Sequence, residues 1–311
     1  MKLAFVFPGQ GSQYVGMGKE IFERFPVARE TFAEASAALG YDVAHLSFSG
    51  PAEELNRTHR TQPCILTTSI AVHRVLREMG IRPAVVAGHS LGEYSALVAA
   101  EALTLAYAVT IAEKRGLLMQ EAVPEGEGIM AAIIGLGRET TATICAGVRS
   151  GYVAPANYNC PGQIVIAGER KAVMEAIERC KAEGAKRAVP LAVSVPSHCR
   201  LMNDAARRLA DVLNGMPFRD PSVPLVNNAD ARFISGKGDI KESLVRQLNH
   251  PVLWEDSMRA IMDAGFTVFV EVGPGKVLAG LMKRIDAKAI VYSTDTIDGI
   301  ERVEADLRGS D

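Results

Sequence analysis

Leu3-Ala4-Phe5-Val6-Phe7 is an unbroken apolar run closed by Pro8-Gly9, and it predicts a short strand covered on both faces. The glycine-rich loop Pro8-Gly9-Gln10-Gly11-Ser12-Gln13 follows, and then an amphipathic helical stretch to about Leu39. From Gln62 to Met79 the residues Ile65, Ile70, Val72, Val75, Leu76 and Met79 recur at helical spacing. Pro63 suits the first turn of that helix and Gly80 its end. Ala84-Val85-Val86-Ala87-Gly88 is a second buried strand that runs directly into Ser90. A helical run over 91–102 comes next. The apolar stretch from Ser95 to Ala112 contains Glu101 and two threonines, so Leu103-Thr104 predicts a break between two buried helices, not a membrane span.

The pattern changes at Pro124-Glu125-Gly126-Glu127-Gly128, which reads as a hinge. Beyond it the sequence predicts a strand over 129–134, a helix over 138–147 and a strand over 152–157. A hairpin signal at Asn159-Cys160-Pro161-Gly162 leads to a strand over 163–167, a helix over 171–183 and a strand over 185–193. That order, βαββαβ, is a ferredoxin-like unit. The α/β pattern then resumes, with strands near 224–226, 267–272 and 289–292. The fold class is therefore α/β: a larger, hydrolase-like α/β domain with a parallel sheet core, formed by 1–126 and 195–311, interrupted by a small ferredoxin-like domain at 127–194.

Composition narrows the function. Of 311 residues, 48% are hydrophobic and 23% charged, near the globular average, which excludes disordered and fibrous classes. With 34 basic against 36 acidic residues there is no cationic excess to neutralise a phosphate backbone, so nucleic acid is not the expected partner. The five cysteines (Cys64, Cys145, Cys160, Cys180, Cys199) are odd in number and form no CxxC pair, which fits a reducing compartment and neither a disulfide framework nor a structural zinc site. No secretory signal is read at the amino terminus, where only five apolar residues precede Pro8. The expectation is a cytoplasmic protein with no membrane association and no metal.

Gly88-His89-Ser90-Leu91-Gly92 matches the nucleophile elbow G-x-S-x-G, with the strand before it and the helical run after it that such an elbow needs. A serine in that strained turn presents its hydroxyl at a helix amino end, where backbone N–H groups stabilise a developing oxyanion. A serine N-cap between two glycines would give the same pattern. The base is open among His45, His59, His73, His89, His198 and His250. His89 is read as packed behind the serine, and His73, inside a helix, as a surface or satisfied histidine. His198, in Val195-Pro196-Ser197-His198-Cys199, lies at the domain junction, where clefts form. Cys199 beside it is read as a buried thiol, because no elbow accompanies it. Arg115, in Ala112-Glu113-Lys114-Arg115-Gly116, would ordinarily be a solvated charge near a helix end.

Phe7-Pro8-Gly9-Gln10-Gly11-Ser12-Gln13, Thr61-Gln62-Pro63, Gly88-His89-Ser90-Leu91-Gly92-Glu93, Arg115, Pro196-Ser197-His198 and Glu271-Val272-Gly273-Pro274-Gly275 follow one another as they do in acyltransferases. The chain resembles, over essentially its whole length, the malonyl-CoA:acyl carrier protein transacylase family of type II fatty acid synthesis. The resemblance implies that Ser90 is the nucleophile and His198 its general base. It implies further that the backbone N–H groups of Gln10 and Leu91 form the oxyanion hole and that Arg115 binds the malonyl carboxylate. A main-chain carbonyl near Gln247 would orient the histidine in place of a triad acid, and Gln62 would line the pocket.

The activity so implied is ping-pong transfer of malonyl from malonyl-CoA to the phosphopantetheine thiol of acyl carrier protein, with no cofactor. A neutral imidazole base predicts that acylation falls near pH 6–7, the ordinary histidine range. A serine esterase or thioesterase would use the same elbow with water as the second acceptor. A stand-alone malonyltransferase serving a polyketide synthase or malonate decarboxylase would keep the same motifs. A non-catalytic scaffold with a vestigial elbow fits the motif set least well.

Overall fold

Among the residues that the computed structural model describes, 2–191 and 195–308, ten strands lie in two sheets. In chain order they are β1 (Leu3–Phe7), β2 (Val85–Gly88), β3 (Gly128–Ile134), β4 (Val153–Cys160), β5 (Gln163–Glu169), β6 (Arg187–Pro190), β7 (Leu225–Val226), β8 (Phe233–Ile234), β9 (Val268–Glu271) and β10 (Ile290–Ser293). The larger sheet has the order β10-β9-β1-β2-β7-β8. Its neighbours pair in parallel except β7 and β8.

Alternation along β1 divides the core between the two faces of this sheet. Leu3, Phe5 and Phe7 enter the larger apolar cluster with Ile65, Leu97 and Val109, whereas Ala4 and Val6 join Val85, Ala87, Trp254 and Met282 on the opposite face. Helices thus cover both faces, which is why β1 carries no polar residue. Burial of each phenylalanine contributes roughly 1.5–3 kcal/mol to this packing.

The second sheet, β4-β5-β3-β6, is antiparallel throughout. With the helices Arg138–Gly147 and Arg170–Ala182 it forms the expected βαββαβ unit around its own core. β4 runs past the predicted 157 to Cys160 before turning at Pro161-Gly162. β6 is shorter than the predicted 185–193, and 192–194, including the proposed border at 194, lie outside the described residues.

Three expectations are corrected. The helical stretch to Leu39 is two helices, Lys19–Arg24 and Pro26–Leu39, because Phe25 before Pro26 adopts an extended conformation. The helix expected from Gln62 spans Thr58–Glu78, so Pro63 is inside it and not in its first turn. The proline removes one backbone donor, and Thr61 Oγ1 donates to Leu55 O (2.6 Å) and Arg57 O (3.1 Å) in the turn before it. His73 is neither exposed nor satisfied. It sits edge-on to Phe5 and Phe7, its Nδ1 has no partner among the described residues, and burial beside Arg77, Arg74 and Arg82 pushes its pKa down to about 4. The break near 103–104 is as read: the helix Gly92–Ala99 ends, Glu101 takes a φ of 60°, and Thr104 Oγ1 caps the helix Leu105–Glu121. Among the described residues no helix is long and apolar enough to cross a membrane.

Candidate active site

In an open parallel sheet, sites form beyond the carboxyl ends of the strands. Here β1 leads into Pro8-Gly9-Gln10-Gly11, β2 into His89-Ser90-Leu91, and β7 into Asn227-Asn228. The first two of these loops border a cavity of about 190 Å³ whose other side is made by Met130, Asn157, Asn159, Gln163 and Val165 of the small sheet, while Asn228 of the third bonds the backbone of the Ser90 turn. The cavity is therefore roofed by strands of the small sheet.

Ser90 has a φ of 52°, the strained left-handed conformation of an elbow. Its flanking glycines are required by contact. A Cβ on Gly88 would stand 1.9 Å from Gly92 C, and one on Gly92 would stand 2.0 Å from Phe7 O. Asn228 clamps the turn: its Oδ1 accepts from Ser90 N (2.7 Å) and its Nδ2 donates to Gly88 O (2.7 Å). Gly88→Ala is expected to cost about 1–3 kcal/mol of stability and to slow acylation of Ser90. A wild-type melting temperature for that variant would contradict the close approach.

His198 lies with its Nε2 2.7 Å from Ser90 Oγ and its Nδ1 2.7 Å from the Gln247 carbonyl. A carbonyl only accepts, so Nδ1 carries the proton and Nε2 is left to accept from the serine. The His198 N–H donates to Leu248 O (3.1 Å), and a φ of 60° turns the ring inward from that anchor. Burial, with the Arg115 cation next in weight, pushes the His198 pKa down to about 3. The fall in activity expected near pH 6–7 is therefore displaced: the free protein keeps a neutral imidazole well below that range.

Arg115 is fully buried inside the helix Leu105–Glu121 and is not a solvated helix-end charge. Gly116 lets this helix approach the one at Thr58–Glu78, since a Cβ there would stand 2.5 Å from His59 Cα. That contact brings Arg115 Nη1 to Gln62 Oε1 (2.8 Å), while Nη2 donates to Gln247 Oε1 (3.0 Å) and Ser90 Oγ (3.2 Å). Among the described residues the bonds of this guanidinium go to amide and hydroxyl oxygens and to no carboxylate, and its Nε has no partner. The buried Glu93 carboxylate reaches this cation only through the Gln247 amide, so the guanidinium has no direct ion-pair partner.

Gln62 does not border the cavity as read; it is buried behind Arg115 and also donates to Met119 Sδ (3.4 Å). Gln10 and Leu91 both border it, and among the described residues neither backbone N–H has an acceptor. Gly9 makes that approach possible, because a Cβ there would stand 2.3 Å from His89 O. His89 is held by Asn159 Oδ1 (2.9 Å) and by the edge of Trp254, consistent with a packed role. Cys199 is buried, donates to Pro196 O (3.2 Å), and burial pushes its thiol up to about 11, so it holds no thiolate near neutrality. Among the described residues no group of three histidine, cysteine or acidic side chains could hold a metal ion.

Two contributors escaped the sequence reading. Asn228 carried one signal, its place just after a predicted parallel strand. Glu93 stood in the motif that carries the resemblance but was given no role, because beyond the elbow it reads as an ordinary acidic first-turn residue.

The acyl transferase domain family matches residues 4–295 of the chain. The chain is 54% identical over 286 residues to a protein of Escherichia coli (strain K12) named malonyl CoA-acyl carrier protein transacylase, covering 91% of this chain and 93% of that one. An acyl carrier protein S-malonyltransferase structure from Vibrio cholerae O1 biovar eltor is 48% identical, with a TM-score of 0.95 and coverage of 97% of this chain and 100% of that one. A malonyl-transacylase structure in complex with its type II PKS acyl-carrier protein is also 48% identical, with a TM-score of 0.96 and coverage of 98% and 100%.

Proposed function

The chain belongs to the acyl transferase family, and from that premise we propose that it moves malonyl groups from malonyl-CoA to the phosphopantetheine thiol of acyl carrier protein. One observation carries the reading. Ser90 Oγ meets both His198 Nε2 (2.7 Å) and the Nη2 of a buried, carboxylate-free Arg115 (3.2 Å). A site for neutral acyl groups has no use for that cation, whereas an acyl chain ending in a carboxylate supplies its partner.

In the first half-reaction Ser90 Oγ attacks the thioester carbonyl as its proton passes to His198 Nε2. The Gln10 and Leu91 N–H groups receive the oxyanion, and the C–S bond breaks as His198 returns the proton to the CoA sulfur. The malonyl-serine ester remains, with its carboxylate on Arg115. In the second half-reaction His198 takes the proton of the carrier thiol, the sulfur attacks the ester, and Ser90 recovers its proton. The Gln247 carbonyl holds the histidine tautomer, so no triad acid is needed. Fatty acid synthesis is the proposed consumer, the cytoplasm the proposed location, and 127–194 the proposed inserted domain.

Intact-mass analysis tests the reading. Mixing with malonyl-CoA should give one malonyl adduct on Ser90, stable in water and discharged by holo carrier protein. Rapid discharge by water alone would make the protein a thioesterase.

The buried histidine sets a second expectation. A base held near 3 stays neutral from about pH 5 upward, so single-turnover acetylation of Ser90 by acetyl-CoA should be level between pH 5 and 8. Acetyl-CoA is chosen because it brings no carboxylate to Arg115. A drop centred at pH 6–7 would mean that His198 is solvated when it acts.

A further inference from the structure

We propose that Glu93 determines specificity: its buried carboxylate competes with the substrate's carboxylate for the charge of Arg115 and so limits the preference for malonyl over acetyl groups. The proposal rests on the malonyl-transfer reading above. Glu93 sits in the first turn of the helix Gly92–Ala99 and is 1% exposed. Its Oε2 accepts from Asn228 N (3.1 Å) and Gln247 Nε2 (3.1 Å), and its Oε1 from Ser243 Oγ (3.4 Å). The same Gln247 Nε2 also donates to Ser90 O (2.7 Å), while Gln247 Oε1 accepts from Arg115 Nη2 (3.0 Å).

A carboxylate only accepts and a guanidinium only donates, so the amide between them has one orientation that serves both. Glu93, Gln247 and Arg115 thus form a polarised relay that ends at the nucleophile. The arrangement lowers the cost of a buried cation in the empty site, since an unpaired one would be expensive. A substrate carboxylate arriving at Arg115 then meets a second anion already facing that charge. The repulsion loosens binding that is the same in ground and transition states, which would otherwise slow release of the malonyl group.

Glutamine at 93 separates charge from shape. Both strong bonds to Glu93 converge on one oxygen, which the amide retains, and its NH2 can donate to Ser243 Oγ. Wild-type protein offers an independent readout. Burial pushes Glu93 up to about 7, opposed by its donors and by Arg115. Its other neighbours do not titrate between pH 6 and 8: Arg115 stays cationic, burial holds His198 neutral, Tyr94 is pushed up to about 12, and Gln247, Asn228 and Ser243 carry no charge. The phosphates of CoA titrate alike for both substrates. A protonated Glu93 leaves Arg115 wholly to the substrate, so malonyl binding should weaken as pH rises through about 7.

The experiment compares kcat/KM for malonyl-CoA and acetyl-CoA in wild type and Glu93→Gln across pH 6–8. The wild-type malonyl-to-acetyl ratio should fall roughly 3- to 30-fold with rising pH, the range for charges interacting across a protein interior of effective dielectric about 20. In Glu93→Gln the ratio should be level and at or above the low-pH wild-type value. A level wild-type ratio, or a lowered ratio in Glu93→Gln, overturns the proposal. The wild-type series decides alone if Glu93→Gln does not fold. Absence of malonyl transfer by wild type at every pH would instead overturn the malonyl-transfer reading.

Discussion

Ser90→Ala should yield no acylated protein, and malonyl transfer should fall by roughly four to six orders of magnitude, as in other enzymes that lose a serine nucleophile. The size follows from what the variant retains. On the proposed assignment Arg115, the Gln10 and Leu91 N–H groups and the cavity would still bind the thioester, so KM should change little while the covalent route disappears. His198→Ala should come close to the same loss, because a serine hydroxyl 2.7 Å from its base is a poor nucleophile without it. The two losses should not add, and Ser90→Ala/His198→Ala should be about as slow as either single variant. Rapid-quench transfer assays with intact-mass detection measure all three. An acyl adduct on Ser90→Ala would assign the nucleophile elsewhere.

What the chain discloses before folding follows the range of each interaction. β1, β2 and the βαββαβ run are written in local apolar patterns and turn residues, and they lie close to where the sequence puts them. The elbow is equally local: a strand, two glycines at which any Cβ would collide with neighbouring backbone, and a helix. Pro63 misled because its helix is held from outside the local sequence, by the Gly116 contact and by Gln120 Oε1 on His59 N. Arg115 misled more. Nothing between Ala112 and Gly116 says that three partners, from Gln62 to Gln247, will converge on its guanidinium. The pKa of His198 was out of reach for the same reason, since burial and Arg115 set it, and both are products of tertiary packing. The motif spacing carried His198 and Gln247 only by resemblance to a family; no residue pattern links positions 49 apart.

Arg115→Ala should reverse the substrate preference. Its guanidinium is buried, with Nη2 3.2 Å from Ser90 Oγ, so a malonyl carboxylate bound there lies in a largely dehydrated site. Removing one member of such a pair costs roughly 2–5 kcal/mol, much of it from the anion left without a partner. At about 1.4 kcal/mol per decade this is on the order of 30-fold to several thousand-fold in kcat/KM for malonyl-CoA. Acetyl-CoA has no carboxylate to strand, and His198 regains basicity once the neighbouring cation is gone, so acetyl transfer should fall far less or rise. Arg115→Lys should restore only part of the malonyl rate, since an ammonium keeps the charge but cannot reach Gln62, Gln247 and the substrate with the same planar fork. Truncation also leaves Gln62 Oε1 and Gln247 Oε1 without their donor, so melting temperatures are measured alongside kcat/KM for both thioesters. Equal losses for malonyl and acetyl groups would make Arg115 a support of the fold. A malonyl-selective loss in a protein that still melts cooperatively would assign it the substrate's carboxylate.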